Sequence, residues 1–288
     1  MLSLMFWTKR VVALVAVAAA TACSGQKKDT QPAAASVAEA PLPEAASPFD
    51  ALPQGVRDTI NKPFTGDLDA IMKRRAIRVA VTFNRTHYFI DKGQQRGLTY
   101  ETLKLFENDL NKELKTGNLK VHVFFMPMPR EQMYSALKNG KVDMVAAMVT
   151  VTPEREALVA FSEPTRKNVN EVVVTGPGAP PIASVDDLAG QEVFVRKTSI
   201  YSESLVKLNE QLKARGKPAV VITPIPEALE DDDVLEMVNA GLVKITIVDD
   251  YLANFWKQVF TDMKVHGDVA VRTGGDLAVA FRKENPQL

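Results

Sequence analysis

Apolar positions along residues 71–288 recur with two different periods, and the periods alternate. Ile77, Val79, Val81 and Phe83 occupy every second position, the signature of a half-buried strand, and Leu103, Phe106, Leu110 and Leu114 then follow at helical spacing. The unit repeats: 121–126 predicts a strand, and 130–139 a helix that Gly140 ends at its C′ position. Residues 142–149 are apolar enough for a strand buried on both faces. Further strands are expected at 172–174, 193–195, 220–223, 245–248 and 277–281, with helices at 202–215 and 230–240 closed by Gly216 and Gly241. This alternation predicts an α/β chain with mainly parallel strands. The Gly- and Pro-rich run 176–181 divides it into two small lobes, lobe 1 at about 71–170 plus 275–288 and lobe 2 at about 176–270. Ligands of such lobes bind where strand C-termini face the crevice.

The first 70 residues carry neither period. Lys9 and Arg10 precede a small-apolar run from Val11 to Ala22, shorter than the roughly 20 residues a membrane span needs, so residues 1–22 read as a signal peptide. The run ends Ala20-Thr21-Ala22-Cys23, and Cys23 is the single cysteine of the chain. This ending resembles a bacterial lipobox, although Ala20 stands where Leu is usual; the resemblance makes Cys23 the lipidated N-terminus of the mature protein. Ser24 after it resembles the outer-membrane sorting default. Residues 23–70 are rich in Ala, Pro, Glu, Gln and Ser, with six of the chain's 17 prolines, and predict a disordered tether. A coil of some forty residues has an r.m.s. reach of about 35 Å.

Composition narrows the function classes. The 288 residues carry 35 Lys plus Arg against 35 Asp plus Glu, which gives no electrostatic reason to expect nucleic acid as a partner. A lone cysteine excludes an internal disulfide and a Cys-based zinc cage. His87, His122 and His266 lack metal-ligand spacing, and the chain contains no GxSxG, HExxH, Walker or GxGxxG motif. No metal and no cofactor is therefore expected. Acidic runs at 186–187 and 230–233 sit at helix starts, where carboxylates favour the dipole, and read as caps. Asp249-Asp250 differs, because it ends an apolar strand.

The run from Asn139-Gly140 through Asp143, Thr150, Thr152 and Arg155, followed by Phe161-Ser162-Glu163-Pro164, resembles the signature of the family 3 periplasmic solute-binding proteins. The segments 195–205, 235–242, 248–250 and 271–275 extend the likeness toward a related group, the membrane-bound lytic transglycosylase F family, whose N-terminal half is such a module and whose C-terminal half cleaves peptidoglycan. The resemblance spans about 75–288 and implies a two-lobed periplasmic binding protein type 2 fold. After Leu288 that family continues into a helix and its catalytic domain; the Gly-Leu-Met-Gln run of the transglycosylase fold does not occur in this sequence, and its Glu-Ser pair, Glu203-Ser204, lies within the segment that resembles the binding module. A non-catalytic module is expected here, and lytic activity only of a longer parent.

Site residues follow from the same resemblance. Arg155 matches the arginine that clamps a ligand α-carboxylate, a task suited to a planar guanidinium with two parallel donors; the alternative is a surface arginine paired with Glu154 or Glu156. Thr150 and Thr152 stand beside it as neutral donors. Asp249 falls where the family places an acid for the ligand ammonium, and Asp250 then caps the helix near Tyr251. Thr198 and Ser199 either cradle an anionic group or act as plain N-caps. Tyr88 matches an aromatic wall over the ligand or is core. Ala147 and Met148 replace the hydroxyl residues of many amino-acid binders, which argues against free amino acids. The expected occupant is an amino acid, peptide or muropeptide. The expected setting is a lipid-anchored protein on the periplasmic face of the envelope, at the outer membrane, working with peptidoglycan or a transporter.

Metabolic labelling with palmitate should mark the wild-type protein and fail on Cys23→Ser. Label that persists in the variant would refute the anchor.

Overall fold

The computed structural model describes residues 52–288; the expected signal peptide, Cys23 and the expected tether up to residue 51 lie outside the described residues. Two short helices come first, α1 (Gln54–Asn61) and α2 (Leu68–Arg74), then strand β1 (Ala76–Val81), the hairpin β2 (Phe89–Asp91) and β3 (Gln94–Arg96), and helix α3 (Leu98–Glu113). Next are β4 (His122–Pro127), α4 (Arg130–Lys138), β5 (Met144–Thr150), α5 (Pro153–Glu156), β6 (Ala160–Phe161) and β7 (Arg166–Thr175). The remainder is β8 (Glu192–Arg196), α6 (Ile200–Ala214), β9 (Val221–Ile225), α7 (Asp231–Asn239), β10 (Ile245–Asp249), α8 (Asp250–Trp256) and the long β11 (Lys264–Phe281).

Nine strands share one sheet, in the order β4-β1-β5-β11-β7-β10-β8-β9 with β6 beside β11. The pairs β1–β4, β1–β5, β8–β10 and β8–β9 are parallel, as the alternation of strand and helix requires, and β7 and β11 run antiparallel to their neighbours. The first lobe has a core on each face of its sheet. Ile71, Ile77, Val79 and Leu103 pack on one side, and Met133, Leu137, Val142 and Val145 on the other. A third core joins Val172–Val174, Leu205, Leu235, Ile247 and Trp256 in the second lobe.

The change of lobe happens inside strands. The 176–181 run follows β7, yet Val172–Val174 already belong to the second core, so the Gly/Pro segment is not where the chain crosses. Both crossings are made by β7 and β11, which pair with each other through four register shifts between His266 and Leu277. Each shift adds unpaired backbone and twist, which lets one sheet serve both lobes.

Folded structure also begins earlier than composition predicts. Residues 54–74 are folded, with Ile60 and Ile71 at 1% and 0% exposure. The reason is a set of contacts from far along the chain. Arg78, fully buried, donates from Nη1 to the carbonyls of Ile60 (3.2 Å) and Lys62 (3.0 Å), and from Nη2 to those of Phe64 (3.2 Å) and Gly140 (2.7 Å). Its Nη2 also reaches Asp143 Oδ1 at 2.9 Å, and its backbone N–H donates to Oδ2 at 2.8 Å. Arg74 and Arg282 (3.5 Å) complete a ring of three guanidiniums on one buried carboxylate. Burial pushes that carboxyl up, but the hydrogen bonds and charge of Arg78 and the charge of Arg74 outweigh it and hold Asp143 below its usual range. Gly140 has φ +67°, and a Cβ there would lie 2.6 Å from the Phe64 carbonyl, so glycine is the residue that fits.

Replacing Asp143 by Asn leaves three buried guanidiniums short of their counter-charge and should lower stability by about 3 to 5 kcal/mol in urea unfolding at neutral pH. Because the folded carboxyl titrates below its unfolded value, the stabilisation is present above the unfolded value and is lost as pH falls through the depressed one. A variant as stable as wild type at pH 7 would refute this account.

Candidate functional site

Strand C-termini and helix N-termini of both lobes enclose a cavity of about 180 Å³, as the parallel topology dictates. Its wall includes Asn84 and Thr86 after β1, Arg130 and Tyr134 of α4, and Ala147 to Thr150 of β5. The opposite side brings Arg196, Thr198 to Tyr201, Glu230 to Asp232, Asp249 and Tyr251.

Three guanidiniums reach the cavity, and each has a carboxylate. Arg130 grips Glu230 across the cleft, Nη2 to Oε2 at 2.9 Å and Nε to Oε1 at 3.1 Å, and its Nη1 donates to the Ala147 carbonyl at 2.7 Å. Arg196 Nη2 donates to Asp231 Oδ1 at 2.5 Å. Arg155 donates through Nη1 to the Thr150 carbonyl (3.1 Å) and through Nη2 to Glu203 Oε1 (3.2 Å). The rim is closed by Asn84 on Glu230 (3.2 Å), the Arg85 amide on Asp232 (2.9 Å) and Trp256 Nε1 on Thr86 Oγ1 (3.0 Å).

Asp249 is the exception. It ends β10 at 6% exposure and lines the cavity, and among the described residues its carboxylate accepts no hydrogen bond. Its backbone N–H donates to the Tyr201 hydroxyl at 3.2 Å, and that hydroxyl donates to Asp231 Oδ2 at 3.3 Å. Burial, then the charges of Asp231, Glu171 and Asp250, push its carboxyl well above the usual range, against the pull of Arg130. Asp250 does the local work, accepting the Tyr251 N–H (2.7 Å) and the Asn170 side-chain amide (2.9 Å). His87 also borders the cavity; burial and the charge of Arg130 lower it to about 4, so it is neutral at pH 7.

Of the residues expected at the site, Arg155, Asp249, Thr150, Thr198 and Ser199 line the cavity. The two at the start of α6 spend their groups locally. Thr198 gives its N–H (3.0 Å) and hydroxyl (2.5 Å) to Glu227, and Ser199 caps the helix by accepting the Ser202 N–H at 3.2 Å. Thr152 caps α5 and borders a second hollow with Glu203, Lys207 and Arg272. Tyr88 lies away from the cleft: it is 2% exposed, stacks on Phe125 at 5.4 Å and donates to Gln95 at 2.9 Å, because the hairpin β2–β3 folds over it. Tyr134, Tyr201 and Tyr251 supply the aromatic lining instead.

Sequence reasoning missed Arg130, Glu230 and Asp231. Glu230 does open α7, its N–H donating to Asp233 at 2.9 Å, yet its side chain also holds Arg130. The usable signal was position, since an acidic run in the turn between β9 and α7 and an arginine that opens α4 after β4 both fall at the crevice end of an α/β lobe. Met148, in the same wall, adopts φ +51°, a conformation that costs a non-glycine residue strain. Among the described residues no group of His, Cys, Asp and Glu is arranged to hold a metal ion, and no helix is long and apolar enough to cross a membrane.

The sequence profile of the bacterial extracellular solute-binding proteins, family 3, matches residues 77–288. The membrane-bound lytic murein transglycosylase F of Pseudomonas fluorescens Pf-5 is 28% identical over 233 residues, 80% of this chain and 44% of the relative. That of Pseudomonas syringae pv. syringae B728a is 28% identical over 231 residues, 80% of this chain and 43% of the relative. The chain thus spans less than half the length of these relatives. An ancestral arginine-binding protein solved with arginine superposes with a TM-score of 0.57 at 25% identity, over 73% of this chain and 85% of that one. Holo ArgBP from T. maritima shares the fold, with a TM-score of 0.58 at 19% identity over 75% and 87%.

Asp249→Asn should raise the melting temperature at pH 7 by about 2 °C or more, on the scale of 2–4 °C per kcal/mol for a domain of this size. The sign follows from linkage: with the folded value above the unfolded one, wild-type stability falls as pH rises from the unfolded value through the raised folded one, and Asn escapes that loss. The gain should shrink as pH falls to about 4. A variant less stable than wild type at pH 7, or a gain that is flat with pH, would contradict the assignment.

Proposed function

Because the chain belongs to family 3 of the bacterial extracellular solute-binding proteins, we propose that the cleft holds a small amino-acid-like ligand, free or as the peptide of a cell-wall fragment, with its ammonium on Asp249. The observation that carries this reading is the buried Asp249 carboxylate, which lines the cavity without a donor while every arginine there is engaged. A buried carboxylate left so is costly. A ligand cation relieves it.

Arg155 takes the other end of the ligand. Its partner Glu203 has a side chain 42% exposed, and an exposed ion pair is worth only about 0–1 kcal/mol. A ligand carboxylate can therefore displace Glu203 at little cost and accept two parallel N–H bonds. Thr150 lies alongside. The ligand bridges residues of both lobes and so favours their closed arrangement.

On this reading the chain is a non-catalytic binding lipoprotein of the envelope, tethered through Cys23 and passing its ligand to a transporter or reporting on cell-wall turnover. A second reading is favoured by the matched relatives: the module is the N-terminal regulatory part of a lytic murein transglycosylase F. Sacculi incubated with residues 23–288 should release no anhydro-muropeptides under either reading.

A thermal-shift screen of amino acids and stem peptides on wild type, Arg155→Ala and Asp249→Ala tests the cleft. A ligand that stabilises wild type should lose about 2 to 5 kcal/mol of binding in each variant, the cost of truncating one member of a buried charge pair. Equal ligand-induced shifts in all three proteins would move the site elsewhere.

A further inference from the structure

Glu171 stands directly opposite Asp249 in the antiparallel pair β7–β10, so the two side chains leave the same face of the sheet. Both are buried, at 3% and 6% exposure. The cation paired with Glu171 is Arg272 on β11, Nη1 to Oε1 at 3.4 Å, and Glu171 Oε2 is buried with no hydrogen-bond partner. Of two adjacent carboxylates, one thus has an arginine partner, and the other, which opens on the cavity, has no cation bonded to it.

The other charges nearby do not correct the deficit. Around Asp249 stand Asp231 on α7, Asp250 and Tyr251 on α8, Tyr201 on α6 and Arg130 on α4, and Arg130 is committed to Glu230. Around Glu171 stand Arg155 on α5 and Ser204 on α6, beside Arg272. Burial raises the Glu171 carboxyl in spite of these three.

We propose that Glu171 and Asp249 act as one proton-holding pair, and that the cationic group of the ligand enters this end of the cleft in exchange for the shared proton. The proposal rests on the reading of the cleft as a ligand site and deepens it: Glu171 is a positioning residue that acts through Asp249. Two carboxylates this close in a low-dielectric site do not both ionise without a second counter-ion, and they titrate as a unit. A ligand ammonium or guanidinium supplies that counter-ion, so the occupant is cationic at this end whatever lies at Arg155. Binding that releases one proton strengthens roughly tenfold per pH unit while the pair still holds the proton.

Carbon-13 NMR of the side-chain carboxyls in the full chain tests this directly, with simple cations as probes. Glu171→Gln should lower the Asp249 midpoint by about one pH unit or more, and Asp249→Asn should lower that of Glu171. Methylammonium chloride or L-arginine should lower the wild-type Asp249 midpoint relative to sodium chloride at equal ionic strength. An Asp249 midpoint indifferent to Glu171→Gln would overturn the pair, and one indifferent to both cations would overturn the exchange. If no ligand emerges from the thermal-shift screen while the two carboxyls still move each other and respond to methylammonium, the amino-acid reading fails and the pair stands. If a ligand stabilises the protein while the carboxyls titrate independently, the pair fails and the cleft stands.

Discussion

One carboxylate, that of Asp143, organises the first lobe. Its two oxygens accept from Arg74, Arg78 and Arg282, residues that lie before β1, within β1 and after β11. Through Arg78 the same cluster holds the carbonyls of the 60–64 segment and of Gly140. Through Arg282 it holds those of Leu137 (3.1 Å) and Val142 (2.5 Å). The end of α4, the beginning of β5 and both ends of the folded chain are thereby fixed to one another. Buried charge is a poor source of net stability, since desolvation consumes most of the attraction. What the cluster imposes is position. With these carbonyls and the carboxylate satisfied only in this arrangement, β5 enters the sheet in one register, and the residues at its far end reach the cleft.

From there the fold divides the labour between backbone and side chains. Strand ends and helix starts define where the cavity is, and a layer of arginine–carboxylate pairs defines its charge. Arg130–Glu230 and Arg196–Asp231 are internally neutral. The imbalance is confined to the floor, where β7 and β10 place Glu171 beside Asp249. The uncompensated charge thus resides in the sheet, and the helices supply the compensated walls.

Much of this was legible in the chain. The alternating periods located the elements, glycines closed the helices where expected, and the Thr150–Arg155 run with the acid at the end of an apolar strand pointed to the crevice. Other features were not legible, for physical reasons. Arg130 and Glu230 are 100 residues apart, and nothing local distinguishes a helix-opening glutamate from one that also spans a cleft. Tyr88 belongs to the core because a hairpin folds over it, a tertiary fact. Residues 54–70 have the composition of a linker, and they fold because Arg78, itself held by Asp143, donates to the carbonyls of Ile60, Lys62 and Phe64.

The joint between the lobes is made of sheet. Because β7 and β11 remain hydrogen-bonded to each other through their bulges, relative rotation of the lobes bends a two-stranded ribbon instead of swivelling on loose chain. Such a joint behaves as a leaf spring: it has a preferred angle, a restoring force, and a bending axis set by where the bulges between His266 and Leu277 interrupt the ladder. Sliding or deleting one bulge would re-aim the axis, and because Val269 of the second-lobe core and Arg272, the partner of Glu171, lie in the bulged stretch, the bend is mechanically tied to the packing and charge beside it.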